Sequence, residues 1–325
     1  MIVAHSFAKQ TVGVFGLAGS GVRALAAGGA SVFTWDDDAD SRVAVQRDGA
    51  VVMPFGEWPW ARIKALVLRA DVARTHPVVL AAQKAGVEII GELELFAREI
   101  RPERGVKGRA PVVAVTGGSG KSTAAALIGH ILSSCGFAAE VGGATGKSAL
   151  DLASPGGRTV YVLEINRDQI GLAPGFVSDV SVLIHAGSDH ASPDDGAAAR
   201  LLECTAKDGQ ICIDVDDPRA ASIYTRLSAG GGAEAVPVSI GKVLGRGIFA
   251  VDGALYDAQG QRATKVMDLS IASHLLGVPD WRSAALAYAA TKRLVKDSRA
   301  IARTIASFPG LEQPLARAVP KRQAS

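Results

Sequence analysis

The stretch Thr116-Gly-Gly-Ser-Gly-Lys-Ser-Thr123 has the residue types and spacing needed to hold a phosphate chain. Glycines let backbone N–H groups turn inward on phosphate oxygens, and a helix beginning at the loop adds the positive end of its dipole. Lys121 is then placed to neutralise the terminal phosphates, and the Ser122 hydroxyl to face Mg²⁺. The competing reading is a glycine-rich turn capped by Ser122. An apolar run before the loop and a helical run after it favour phosphate. The spacing departs from the full G-x-x-x-x-G-K-S pattern, because Val115 stands at its first glycine and the loop is therefore shorter.

Gly16-Leu-Ala-Gly-Ser-Gly21 is a weaker signal of the same kind. It fits G-x-A-x-x-G, with Ala18 in place of the glycine that lets backbone approach a pyrophosphate. Gly16, Leu17, Ala18 and Gly19, with Asp36 at the end of the next apolar run, suit a nucleotide sugar or a dinucleotide. A plain strand-to-helix turn remains open as well.

Both loops need a strand before them and a helix after them. Thr11–Gly16 reads as a buried strand feeding the helical stretch Val22–Ala27, and Ser31–Asp36, Ala65–Leu68 and Val87–Ile90 read as further strands. A charged, glycine-containing stretch from Arg101 to Arg109 suits a linker. A second series starts with strand Pro111–Thr116 and helix Ser122–Ser134. Strands follow at Thr159–Glu164, Val180–His185 and Gln210–Val215, and helices at Asp195–Thr205 and Arg282–Leu294. Ala229–Ala233 reads as a glycine-rich loop and Gly247–Lys265 as short hairpin strands. Strands alternating with helices predict an α/β chain whose mainly parallel sheets are covered on both faces.

Composition bounds the rest. A chain of 325 residues suggests two domains, and 48% hydrophobic with 21% charged residues excludes disordered and fibrous classes. A net charge of +3 announces neither nucleic acid nor a membrane surface. Cys135, Cys204 and Cys212 lack metal-ligand spacing and read as buried thiols of a reducing compartment. The N-terminus has no basic start with an apolar run, and no apolar stretch approaches the ~20 residues of a membrane span, so the expected location is the cytoplasm.

The shortened loop T-G-x-x-G-K-S-T resembles the ATP loop of the Mur ligases, whose usual form is T-G-T-N-G-K-S-T. Thr75-His-Pro77, the run Gly86–Glu99 and Val141-Gly-Gly-Ala-Thr-Gly146 are similar to the D-glutamate-adding, or MurD, branch of that family. The resemblance runs from about Val12 to Leu311. It implies a Rossmann-like domain for a UDP sugar over residues 1–105, a P-loop central domain over 106–311, and a tail at 312–325. The implied activity is ATP-dependent addition of D-glutamate to UDP-N-acetylmuramoyl-L-alanine, in peptidoglycan precursor synthesis. Mg²⁺ is implied too, held by Ser122, Glu164 and His190, with Lys121, His190 and Glu164 as the catalytic set and Thr116–Thr123 as the ATP loop.

Several positions depart from the family. Where the branch carries a carbamylated lysine that helps hold a second Mg²⁺, this chain has Arg200, which stays protonated and cannot form a carbamate. The asparagine of the G-G-N-I-G loop is Ala144, and the Ser-Pro-Gly loop facing the sugar nucleotide is Arg69-Ala-Asp71. The adenosine-contacting H-N-x-x-N segment is Pro279-Asp-Trp-Arg-Ser283. Phe308-Pro-Gly-Leu311 matches the hinge before the family's C-terminal domain, and the chain stops at Ser325, so that domain is expected to be absent. Two readings follow: a divergent or truncated ligase with little turnover of its own, or an inactive paralogue that binds nucleotide or another Mur-pathway protein.

Overall fold

The computed structural model describes residues 1–16, 19–45, 48–100, 110–144, 146–185, 200, 202–260 and 262–311. The proposed Leu17, Ala18 and His190, the linker 101–109 and most of the expected helix Asp195–Thr205 lie outside them.

Two sheets organise the chain. The first has the order β3-β2-β1-β4-β5, from β1 Thr11–Phe15, β2 Ser31–Trp35, β3 Val51–Val52, β4 Ile63–Leu68 and β5 Glu88–Ile90. Every pair in it is parallel. The second is built from β6 Val112–Gly117, β7 Ala138–Gly143, β8 Thr159–Glu164, β9 Ser178–Ile184, β10 Thr205–Asp214, β11 Glu234–Ile240, β12 Arg246–Val251, β13 Ala254–Gln259 and β14 Arg262–Asp268. Its order is β14-β13-β12-β11-β10-β9-β6-β8-β7. It is parallel from β7 across to β12, and β13 and β14 add an antiparallel edge.

The apolar runs explain the central strands. Val112–Val115 and Thr159–Glu164 are buried at every position, as strands sandwiched between helices must be. The helix Lys121–Ser134 buries Ala124, Leu127, Ile128 and Ile131, a helical stripe that packs on this sheet. The helix Val278–Lys292 is buried from Ser283 to Thr291, which explains why its sequence is apolar on nearly all sides. A third helix, Glu92–Ile100, joins the sheets: Phe96 meets Tyr161 edge to face at 5.0 Å, inside one core that includes Val12 and Val14 of β1 and Leu163 of β8.

Three expectations need correction. Thr205 opens β10 rather than closing a helix, because its hydroxyl is buried in a chain with Ser181 and Ser178 between β10 and β9. The glycine run is shorter as a loop, since the helix Pro218–Gly230 extends into it and β11 starts at Glu234. Of the cysteines only Cys212 is buried, where burial pushes its thiol up to about 12; Cys135 and Cys204 are half-buried. No helix among the described residues is long and apolar enough to cross a membrane.

The helix Pro218–Gly230 starts on Asp217, whose side chain accepts from Ala220 N at 2.8 Å. Asp217→Ala is expected to cost about 1 kcal/mol in denaturant unfolding, the ordinary value of an N-cap. An unchanged midpoint would show that Pro218 alone sets this terminus.

Candidate functional site

The P-loop follows β6 at the centre of the large sheet, where helix N-termini and strand C-termini face the same crevice. Gly117 has φ of +119° and Gly120 +96°, both in the region that favours glycine. Gly118 N donates to the carbonyls of Ile184 at 2.8 Å and His185 at 3.1 Å, so the end of β9 pins the loop. Thr116 Oγ1 donates to Ile165 O at 3.0 Å and ties the loop to the end of β8. The helix begins at Lys121, with Gly120 at its N-cap and no side chain capping it. No capping side chain therefore competes for its first N–H groups, as an anion site requires.

Lys121 Nζ donates to Gly117 O at 3.0 Å and Gly118 O at 3.1 Å, folding over the loop it is expected to serve. Ser122 Oγ donates to Glu164 Oε2 at 2.8 Å, across 42 residues of sequence. Glu164 is buried, and its own carbonyl accepts from Ala144 N at 2.7 Å. Thus Lys121, Ser122 and Glu164 meet at one place, and a hydroxyl beside a carboxylate forms the hard oxygen set that Mg²⁺ prefers. Among the described residues no larger group of His, Cys, Asp and Glu gathers with metal-site geometry.

A second cluster borders this loop. Arg282 Nε lies 3.0 Å from Asp214 Oδ2, in a direction that does not form a hydrogen bond, and an Arg282 terminal nitrogen is 2.9 Å from His185 Nε2. His185 Nδ1 is 3.5 Å from Asp214 and 3.7 Å from Asp217. Burial pushes the Asp214 carboxyl above its usual range, against the opposing pull of Arg282. The neighbouring Ser283 Oγ reaches Gly120 O at 3.4 Å. The segment that departs from the family's adenosine-contacting motif therefore touches the P-loop and places an ion pair beside it. Sequence reasoning missed this cluster; an aspartate closing the apolar run Gln210–Val215 was the available sign.

In the first sheet, the turn after β1 begins at Gly16, φ +75°. Asp36 is nearly buried after β2, and Arg69, after β4, lies 3.6 Å from its carboxylate while its Nε bonds Asp71 at 2.5 Å. Gly16 packs within 3.2 Å of the Arg69 Cβ, measured from an ideal Cβ on the glycine. The three strand ends converge, and Arg69 occupies part of the mouth.

Between the sheets lie two adjoining cavities of about 280 and 360 Å³ that share Ala70, Asp71 and Asp168. The first brings the Arg69-Ala-Asp71 loop opposite Ala144 and Asn166, so two positions expected to face substrate do share a cleft. Arg200 lines the second with Arg74 and Arg167. Glu92, which sequence reasoning did not single out, also lines the first and accepts from Ser148 Oγ. Burial holds its carboxyl above the usual range. A raised carboxyl favours the fold while protonated and loses that contribution as pH rises through its folded value. Glu92→Gln, which cannot lose the proton, is therefore expected to gain stability over the parent as pH rises to neutrality, with the difference closing in acid. Unfolding curves at several pH values check this, and a difference independent of pH would contradict it.

The sheet order, the short P-loop ahead of its helix and the second nucleotide-type sheet define the Mur ligase fold. The structural match to a UDP-N-acetylmuramate:L-alanyl-gamma-D-glutamyl-meso-diaminopimelate ligase from Neisseria meningitides covers 94% of this chain and 100% of that one, with TM-score 0.63 and 15% identity. The match to the UDP-N-acetylmuramate-alanine ligase MurC from Thermotoga maritima covers 93% of this chain and 69% of that one, with TM-score 0.53 and 16% identity. No family model matches the chain. Curated relatives narrow the class. The UDP-N-acetylmuramoylalanine–D-glutamate ligase of Phenylobacterium zucineum is 40% identical over 324 residues, 96% of this chain and 69% of that protein, and that of Caulobacter sp. is 38% identical over the same shares. The chain belongs to the UDP-N-acetylmuramoylalanine–D-glutamate ligase family.

Proposed function

We propose that this chain binds the ligands of the D-glutamate-adding reaction and is a divergent ligase of that reaction with little turnover of its own. ATP lies on Thr116–Thr123, with Thr116, Gly117, Gly118, Ser119, Gly120 and Thr123 giving backbone or hydroxyl contacts and Lys121 the charge. UDP-N-acetylmuramoyl-L-alanine takes the cleft between the half at 1–105, with Gly16, Gly19 and Asp36, and the half at 106–311. Ser122 and Glu164 fit Mg²⁺ by their oxygen donors, and His190 joins them by resemblance alone. The metal's contribution is to screen two anions, phosphate and carboxylate, that otherwise repel. The observation that carries this reading is the contact between Ser122 Oγ and Glu164, beside Lys121, on a loop shaped for phosphate.

Separate calorimetric titrations with ATP–Mg²⁺ and with UDP-N-acetylmuramoyl-L-alanine test it. Both ligands are expected to bind; failure of both overturns the reading. Lys121→Ala is expected to weaken ATP binding by about 1.5–3 kcal/mol, the scale of a charged hydrogen bond, and to leave the UDP sugar unaffected. Unchanged ATP affinity would remove Lys121 from the site.

A second reading is favoured by the arginines Arg69 and Arg200, which stand in the cleft at altered family positions. In it the chain binds nucleotide and acts on another Mur-pathway protein instead of on the sugar. That reading predicts ATP binding with no binding of UDP-N-acetylmuramoyl-L-alanine, so the same pair of titrations separates the two.

A further inference from the structure

At the other end of the large sheet, a cavity of about 680 Å³ opens among the N-terminal ends of β10, β11 and β12, strand β13 and the last turn of the helix Val278–Lys292. The register places it. Gly117 is level with Ile184, whereas Val113, four residues earlier, is level with Val180, Gln210 and Glu234. This rim is thus displaced from the P-loop by about 13 Å along the strands, at ~3.3 Å per residue.

Its floor is apolar, from Val236, Pro237, Ile248 and Ala289. Its rim is basic. An adjoining cavity of about 520 Å³ shares Asp257, Gln259 and Lys292 with it, and together the two are lined by seven lysines and arginines and two carboxylates. The carboxylates are already engaged: Glu234 pairs with Arg246 at 2.9 Å, and Asp257 pairs with Lys292 and accepts from Tyr288. Lys296, Arg262 and Arg299 are exposed and form no ion pair among the described residues. A chain whose whole net charge is +3 concentrates positive charge here. The negative end of the helix Val278–Lys292 opposes it with only about half a charge.

We propose that this is a second ligand site, for a small ring-bearing organic phosphate of the size of a nucleoside diphosphate. The ring lies on the apolar floor and the phosphates are held by Lys296, Arg262 and Arg299. Cavities of about 300–1,000 Å³ with an apolar lining and a few charged groups are the usual form of such sites, and lysine and arginine are the side chains that bind phosphate. The proposal does not depend on the ligase reading, because no residue of the P-loop or the cleft takes part.

The test uses the chain with Lys121→Ala, which weakens the P-loop, so that binding is assigned to this rim only as far as it responds to the rim variants below, and titrates ADP and inorganic pyrophosphate without added metal. Saturable binding is expected, tighter for ADP than for pyrophosphate, and weaker at higher salt. The double variant Lys296→Glu and Arg299→Glu is expected to lose at least about tenfold in affinity, as expected when charge-assisted contacts are replaced by repulsion. The milder Lys296→Gln and Arg299→Gln pair should fall between, and unaltered circular dichroism checks that the exposed substitutions leave the fold intact. No saturable binding in the Lys121→Ala chain, or binding that survives charge reversal, overturns the site. Equal affinity for ADP and pyrophosphate overturns the assignment of the floor to a ring.

Discussion

Phosphate release by the 325-residue chain, incubated with ATP, Mg²⁺, UDP-N-acetylmuramoyl-L-alanine and D-glutamate, is expected to stay near background. The reason is charge. The reaction brings an anionic phosphate chain toward a carboxylate, and resemblance to the family assigns a second Mg²⁺ to a lysine carbamate at the position held here by Arg200. A guanidinium stays protonated at any working pH, so it offers no oxygen to the metal and places a fixed positive charge where the metal belongs. Arg74 and Arg167 line the same cavity and add to that charge. Asp71, one of the acids nearby, is already bonded to Arg69. On the proposed reading ATP still binds, because the P-loop holds it without Arg200, but the step that needs both metals is left with one. Substrate-dependent turnover at an ordinary enzymatic rate, on the order of 1 s⁻¹, would show that Arg200 does not limit this chain and would return it to the fully active members of its family.

The phosphate loop was legible because it is local. A strand of unbroken apolar residues, glycines in order and a helical stripe lie within about 25 residues, and periodicity alone separates them. The same holds for the parallel sheets. β7 was not legible, because Ala138–Gly143 lies at the sheet edge with most positions partly exposed and two glycines at its end. β11 carries Pro237 in its middle, which argues against a strand until β12 is seen to pair with it only from Val238 onward. The Asp214, His185 and Arg282 cluster was illegible for another reason. Arg282 meets His185 across 97 residues of sequence, and only the packing of the buried helix Val278–Lys292 on the sheet brings the two together. Glu92 is likewise one acid among several in its own stretch of sequence. Its partial burial comes with Ser148, whose hydroxyl donates to it across 56 residues of sequence, which no pattern in its own neighbourhood encodes.

Gly117→Ala is expected to do more damage than removing the lysine four residues on. An ideal Cβ at Gly117 falls 1.8 Å from Ile184 O, 2.6 Å from His185 O and 2.7 Å from Ile184 C. All are backbone atoms, held by the pairing of β6 with β9 and by the Gly118 hydrogen bonds, so no side chain can swing aside. The φ of +119° is itself costly for alanine, by about 1–3 kcal/mol. Relieving the overlap requires a backbone shift, which in a packed interior adds about 1–3 kcal/mol. The loss is therefore expected to be about 2–6 kcal/mol in unfolding. ATP affinity is expected to fall with it, because the displaced loop no longer presents its N–H groups together. Gly86→Ala is the control: its φ is +66° and nothing lies within 4 Å of the added carbon. It should cost about 1 kcal/mol, the backbone term alone, and leave ATP binding as it was. If Gly117→Ala matched this control in stability and bound ATP like the parent, the close approach of β6 to the end of β9 would not be what shapes the phosphate loop.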